Sequence, residues 1–307
     1  MKKVQSQITI KPAPPFDFDA AAYSHGWVVL SPNSWDEDGR VLRRVERLKS
    51  GKVAMLAISG NGAVRKPEIR VAVQSAGRLN GRERTEIEDG VRHMFRVDED
   101  IRAFYRLARK RGGQWLEVTT GKGRLLRSPG LFEDIVKVIC TTNIQWGGTR
   151  KMVENIVNSY GATYPAEPSL RAFPVPEAIA SEDPGEFAAK VRMGYRAPYV
   201  HELAGQLAAG KLDLESLRDP ELPTADLKKR LLAIKGVGPY AAATLLMLLG
   251  RYDDLAVDTV ARGFVSNKYF DGGKATDAQI REVYEGWAEW KFLAYWFDLW
   301  QGFQEKL

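Results

Sequence analysis

The sequence predicts an α+β protein, with an N-terminal antiparallel α+β domain over residues 1–97 and an all-helical region of two lobes over 98–307. Three observations carry this reading. Ile69, Val71 and Val73 recur at period two, the repeat of a half-buried strand. From Asp98 onward apolar residues recur at helical spacing instead, most strongly over Leu131 to Cys140. The stretch from Leu231 to Arg262 then reads as helix, tight turn and helix, with Gly236-Val237-Gly238-Pro239 as the turn. Sheet signals first and helix signals later mark α+β rather than an alternating α/β chain.

The elements follow in order. Residues 1 to about 15 form a tail or first strand, limited by Pro12, Pro14 and Pro15. Trp27 to Leu30 is a short apolar, strand-like run ending at a Ser31-Pro32-Asn33 turn. Val41 to Leu48, Val53 to Ile58 and the Ile69 run complete the sheet, with Asn61-Gly62 as a turn. Ile87, Val91 and Phe95 place a covering helix over Arg84 to Phe95. Asp98 is the expected cap of a helix over Ile101 to Lys110, closed by Gly112-Gly113. Helices are expected at Leu131–Cys140, Thr149–Tyr160, Phe187–Met193 and Tyr199–Ala209, with Phe173 to Pro176 as a rigid connector. The hairpin at 231–250, Asp277 to Trp287 and Lys291 to Gln301 complete the set.

Composition narrows the function. The chain has 307 residues and a formal charge of +6, which suits a polyanionic partner without requiring one. Cys140 is the only cysteine, which excludes an intrachain disulfide, a four-cysteine iron–sulfur cluster and a zinc ribbon. His25, His93 and His201 show no metal-ligand spacing. No stretch approaches a membrane span and the N-terminus has no apolar signal core, so the expectation is a soluble cytoplasmic protein.

The hairpin carries the chemistry. Glycines let the backbone approach a ligand closely, and Pro239 suits the first position of the second helix. That helix start presents N–H groups and a partial positive charge to an anion such as a phosphate, and Lys235 adds a full charge beside it. Asp258 follows one helix later, in the otherwise apolar context Leu255-Ala256-Val257. An αα-hairpin with a surface Asp cap gives the same local pattern.

The combination resembles the helix-hairpin-helix DNA glycosylases. Within that superfamily the chain looks most like the 8-oxoguanine DNA glycosylases and their 3-methyladenine relatives. The resemblance runs with gaps from about Asp98 to Phe303, through DEDIRAFYRLA, SPGLFEDIVKVICTTN, TRKMVENIV, Phe173-Pro174, MGYRAPYV, the hairpin and AVDT. It implies double-stranded DNA carrying a damaged or modified base as partner, a monomer, and base flipping. It implies backbone-phosphate binding by Lys235, Gly236, Val237, Gly238 and Tyr240, and catalysis by Asp258. Asn143 matches the family's gap-filling residue, Tyr195 its aromatic wedge and Arg196 a contact to the orphaned base. No cofactor is expected, apart from a structural sodium or potassium ion on hairpin carbonyls. On DNA the protein would be nucleoid-associated.

The departures shape the expected reaction. Bifunctional members carry a Schiff-base lysine two residues after the second hairpin glycine, where this chain has Tyr240. Lys235 takes the place usually filled by proline, on the other side of the turn. Gly148 stands where the 8-oxoguanine enzymes have an arginine that helps read the opposite cytosine. Their Gly-Gln-x-Phe-Arg-Trp signature is absent, and Ser24-His25-Gly26-Trp27 stands near its place. A monofunctional glycosylase for an alkylated or oxidised purine is therefore expected, its nucleophile water. The aromatic run from Trp287 to Phe303 supplies a base pocket in which Trp296 stacks and Asp298 accepts from the base edge, with His25 and Trp27 completing it. Other readings are a non-catalytic lesion binder, a glycosylase for a modified base of foreign DNA, and a lyase recruiting Lys235.

Overall fold

The computed structural model describes residues 4–255 and 257–304. Five strands form one antiparallel sheet: β1 (Val4–Ile10), β2 (Asn33–Asp36), β3 (Val41–Arg47), β4 (Val53–Gly60) and β5 (Ile69–Ser75), in the order β1-β5-β4-β3-β2. Register follows the period-two pattern. Ile8 faces Val71, Val71 faces Ile58 and Ile58 faces Leu42, so one buried apolar row crosses four strands. A one-residue slip would turn that row to the solvent face.

The helices are α1 (Phe18–Ala22), α2 (Gly81–Met94), α3 (Arg102–Arg111), α4 (Leu131–Thr141), α5 (Trp146–Tyr160), α6 (Pro176–Ala180), α7 (Pro184–Val191) and α8 (Ala197–Ala208). They continue with α9 (Thr224–Leu232), α10 (Pro239–Leu248), α11 (Thr259–Tyr269), α12 (Asp277–Glu285) and α13 (Lys291–Gln304). The structure thus has the expected class, a five-stranded antiparallel sheet followed by helices.

Three local expectations are corrected. Trp27 to Leu30 is not a strand: Gly26–Val29 is a 3-10 turn, preceded by α1, because both Trp27 and Val28 are buried and alternation is lost. The covering helix starts earlier than Arg84, because Asn80 caps it and forms a capping box with Glu83. Asp98 does not cap α3; its carboxylate pairs with Arg92, and Ile101 occupies the cap position.

By packing, the chain divides into two compact units, Met1–Glu99 with Thr120–Leu214, and Asp100–Thr119 with Glu215–Leu307. The sheet therefore shares its unit with α4 to α8, whereas residues 97 and 98 mark only the change in secondary-structure class. Inside the first unit Arg44 of β3 is buried and reaches α4 through a two-pronged bond to Glu133, at 2.9 and 2.6 Å. Burial alone would raise the Glu133 carboxyl, but Arg44 and then Lys137 carry it down to about 2. Removing one member of such a buried pair strands the other charge, so this contact fixes sheet to helix.

Candidate active site

The hairpin has the expected form. α9 ends at Leu232, and α10 begins with Pro239 as its first residue and Gly238 as its cap. Gly236 sits at φ +89°, a conformation that a side chain would strain. Val237 donates to the Ile234 carbonyl at 3.0 Å, and both side chains are buried, which pins the turn from inside. Gly238 offers no side chain to close the first turn of α10, and Lys235, Gly238 and Pro239 are exposed. An uncapped helix start beside a cation is a seat for an anion.

Asp258 is the N-cap of α11. Its Oδ1 accepts from the Ala261 N–H at 2.7 Å, and its carbonyl accepts from the Arg262 N–H at 2.9 Å. Oδ2 has no hydrogen-bond partner among the described residues. The cap bond therefore orients the carboxylate and leaves one oxygen for another task. Tyr295, on α13, is a neighbour that the expected site lacks. Burial pushes its phenol above the ordinary range, and the charges of Asp258 and then Tyr240 push it further. Asp258, Tyr240 and Tyr295 thus lie within electrostatic reach of one another. The only sequence signal for Tyr295 was its place in a crowded aromatic run.

The structure corrects the expectation for Asp298. Its side chain is fully buried and saturated by four donors. Lys268 Nζ at 2.6 Å and Gln114 Nε2 at 3.0 Å donate to Oδ1. The Tyr269 and Tyr284 hydroxyls donate to Oδ2 at 2.6 and 2.8 Å. A base edge would have to displace one of these, so Asp298 is a hub that ties α11 and α12 to α13. Trp296 is half-buried and stacks along α13 between Phe292 and Trp300, at 6.4 and 6.5 Å.

In the first unit, the turn between α4 and α5 holds Asn143 at φ +48°, exposed, with its Nδ2 3.4 Å from the Tyr195 hydroxyl. Tyr195 is 53% exposed, so these two are brought together at the surface. Arg196 differs from expectation. It is buried, donates to the Thr142 carbonyl and hydroxyl and to the Met193 carbonyl, and lies 4.4 Å from the Tyr195 ring centroid. It braces the Tyr195 ring from a buried position and spends its donors on Thr142 and Met193 rather than on a base. Gly148 carries Ile144: a methyl at 148 would lie 2.6 Å from Ile144 Cγ1, so a larger residue there displaces that side chain.

His25 and Trp27 are also interior. The His25 Nε2 bonds to the Leu126 carbonyl and Trp27 Nε1–H donates to Asp134 at 2.8 Å. Burial lowers the His25 imidazole to about 4. Both therefore shape the segment around Gly26 from behind, rather than presenting polar edges as the expected pocket requires. Cys140 is buried, which pushes its thiol up to about 12 and makes it a poor nucleophile. Among the described residues no group of three or more His, Cys, Asp or Glu is placed to hold a metal ion. Among the described residues no helix is long and apolar enough to cross a membrane.

No family model matches the chain. A DNA-3-methyladenine glycosylase of Bacillus subtilis is 26% identical over 226 residues, 71% of this chain and 72% of that protein. A putative DNA-3-methyladenine glycosylase of the same organism, YfjP, is 22% identical over 78% of each. Among solved structures, the 3-methyladenine DNA-glycosylase of Archaeoglobus fulgidus superposes with a TM-score of 0.74 at 20% identity, over 97% of this chain and 99% of that one. The 8-oxoguanine glycosylase/lyase of Clostridium acetobutylicum, in complex with DNA, superposes with a TM-score of 0.72 at 16% identity, over 100% and 98%. The chain has the fold of the helix-hairpin-helix DNA glycosylases, and it is a sequence relative of proteins named DNA-3-methyladenine glycosylase.

Proposed function

We propose that this protein is a monofunctional DNA glycosylase, which flips a damaged or modified base out of duplex DNA and hydrolyses its N-glycosidic bond. The observation that carries the reading is Asp258, held by its cap bond with Oδ2 unengaged, one helix after an exposed glycine hairpin. The hairpin N–H groups and Lys235 hold a backbone phosphate of the strand that carries the lesion. The Gly236 and Val237 carbonyls accept no hydrogen bond among the described residues, and they are the groups that would hold a monovalent cation there.

Extruding a base costs a few kcal/mol, roughly. Asn143 and Tyr195, exposed and adjacent, fill the vacated stack. Breaking the glycosidic bond builds positive charge on the sugar, as in glycoside hydrolysis. The Asp258 carboxylate stabilises that charge and orients the attacking water. Water is the nucleophile because Tyr240 stands where a Schiff-base lysine would be, and a phenol forms no imine. The product is an intact strand with an abasic site. The names of the relatives make alkylated purines the first class to test, with oxidised purines second. The protein acts as a monomer on double-stranded DNA.

The test is a panel of duplexes with single defined lesions, treated with alkali after incubation to reveal abasic sites. Asp258→Asn is expected to keep DNA binding and to lose excision by about 100-fold or more. Full excision by Asp258→Asn, or efficient borohydride trapping of the wild-type protein on DNA, would overturn the mechanism. Tight lesion binding with no base release would favour a non-catalytic binder.

A further inference from the structure

Three tyrosines of the second unit pack edge to face in a row. Tyr269 of α11 meets Tyr284 of α12 with ring centroids 6.3 Å apart, and Tyr284 meets Tyr295 of α13 at 5.7 Å. Two of the three hydroxyls are spent. Those of Tyr269 and Tyr284 donate to Asp298 Oδ2. With Lys268 and Gln114 on Oδ1, that carboxylate has no lone pair left for a further donor. The Tyr295 hydroxyl has no hydrogen-bond partner among the described residues. Tyr295 is only 4% exposed, and the O–H of so buried a tyrosine ordinarily finds an acceptor.

The ring is held from three sides. Besides Tyr284, it meets Phe264 of α11 at 6.4 Å and Phe292 of its own helix at 5.9 Å, each edge to face. Asp298 anchors Tyr284, so the hub also stiffens the seat of Tyr295. The hydroxyl tip is not sealed with the ring. Among the described residues the one sealed side-chain nitrogen or oxygen without a partner is Arg218 Nε, so the unpartnered Tyr295 oxygen reaches an opening. Phe264 belongs to α11, the helix that Asp258 caps. Burial first, and then the Asp258 charge, favour the protonated phenol. A rigid donor that keeps its proton thus lies within electrostatic reach of a carboxylate with an unengaged oxygen.

We propose that Tyr295 is a positioning residue for Asp258, its hydroxyl donating to Oδ2 when the site closes on DNA. The inference rests on the glycosylase reading above and adds a residue to its machinery. Hydrogen bonds of catalytic groups are often open in a free enzyme and tighten in the complex. A bond to an ionised acceptor is stronger than one between neutral groups, so it fixes the carboxylate's direction. A carboxylate oxygen has two lone pairs, which leaves one for the attacking water.

The experiment compares wild type, Tyr295→Phe and Tyr284→Phe, each with Asp258 and with Asp258→Asn. Phenylalanine keeps the ring contacts and removes only the hydroxyl. Asparagine keeps the cap bond through Oδ1 and puts an NH2 group, which accepts nothing, in place of Oδ2. Single-turnover excision is measured on the panel duplex from which wild type releases base fastest, beside affinity for an abasic-site duplex and thermal melts. Tyr295→Phe should lower excision about 10-fold or more, with abasic-site affinity and melting temperature little changed. In the Asp258→Asn background the same change should cost less than about 3-fold, because it acts through the carboxylate. Tyr284→Phe should lower the melting temperature and change excision by the folded protein less than Tyr295→Phe does. Wild-type rates in Tyr295→Phe, the same fold loss with and without the carboxylate, or an equal loss in Tyr284→Phe would overturn the proposal while leaving the glycosylase reading intact. A wild-type protein that releases no base from any duplex would overturn both.

Discussion

Replacing Asp298 by alanine separates an architectural role from base recognition. The carboxylate is 0% exposed and takes four hydrogen bonds. Its removal affects the donors unequally. Tyr284 is also 0% exposed, so its hydroxyl would lose its carboxylate acceptor in a buried site, at about 1–3 kcal/mol. Lys268 and Tyr269 are partly exposed and can turn to water, so each loses only its net bond, about 1 kcal/mol. Gln114 is exposed and loses less. The small cavity adds to this, giving roughly 3–5 kcal/mol in all. Asp298→Asn keeps one acceptor oxygen and should cost less, about 1–3 kcal/mol. Urea denaturation at fixed pH reads both values, with lesion preference measured on the folded fraction. A loss below about 1 kcal/mol for Asp298→Ala, with an altered lesion profile, would refute the hub and return Asp298 to the base pocket.

Two further predictions concern charge. Lys235→Glu should weaken binding to every duplex sequence and flatten the dependence of log affinity on log salt by about one unit or more, measured by titration at several salt concentrations; an unchanged slope would remove Lys235 from the phosphate site. His25 is held at about 4 by burial, against about 6.5 for a free imidazole, so as pH falls the unfolded chain takes up the proton first. The stability tied to neutral His25 is therefore complete above about 6.5 and lost toward 4, about 3 kcal/mol over the window. Melts of wild type and His25→Gln should converge as pH falls from 7 to 5, and a constant gap would show that the histidine is not kept neutral.

What was legible in the sequence was what the backbone decides locally. Period two at Ile69, Val71 and Val73 becomes a strand whose three residues are fully buried. Gly236, Gly238 and Pro239 become a left-handed residue, a cap and a first helical position, each the conformation that residue type favours. Where a short segment is held by distant partners, local reading failed. The Gly26–Val29 segment looks like a strand, but Trp27 is held by Asp134, 107 residues away, and His25 by Leu126, 101 away. Asp98 looks like a cap until Arg92 competes for it.

Side-chain direction was the larger gap. Their places in motifs suggest outward jobs for Arg196 and Asp298, and both turn inward to acceptors or donors that no spacing reveals. Gln114 and Lys268 reach Asp298 from 184 and 30 residues away. The aromatic residues show the same limit from the other side. A dense run such as Trp287 to Trp300 draws attention as a pocket, yet density also gives each ring neighbours to pack against, and these rings use them.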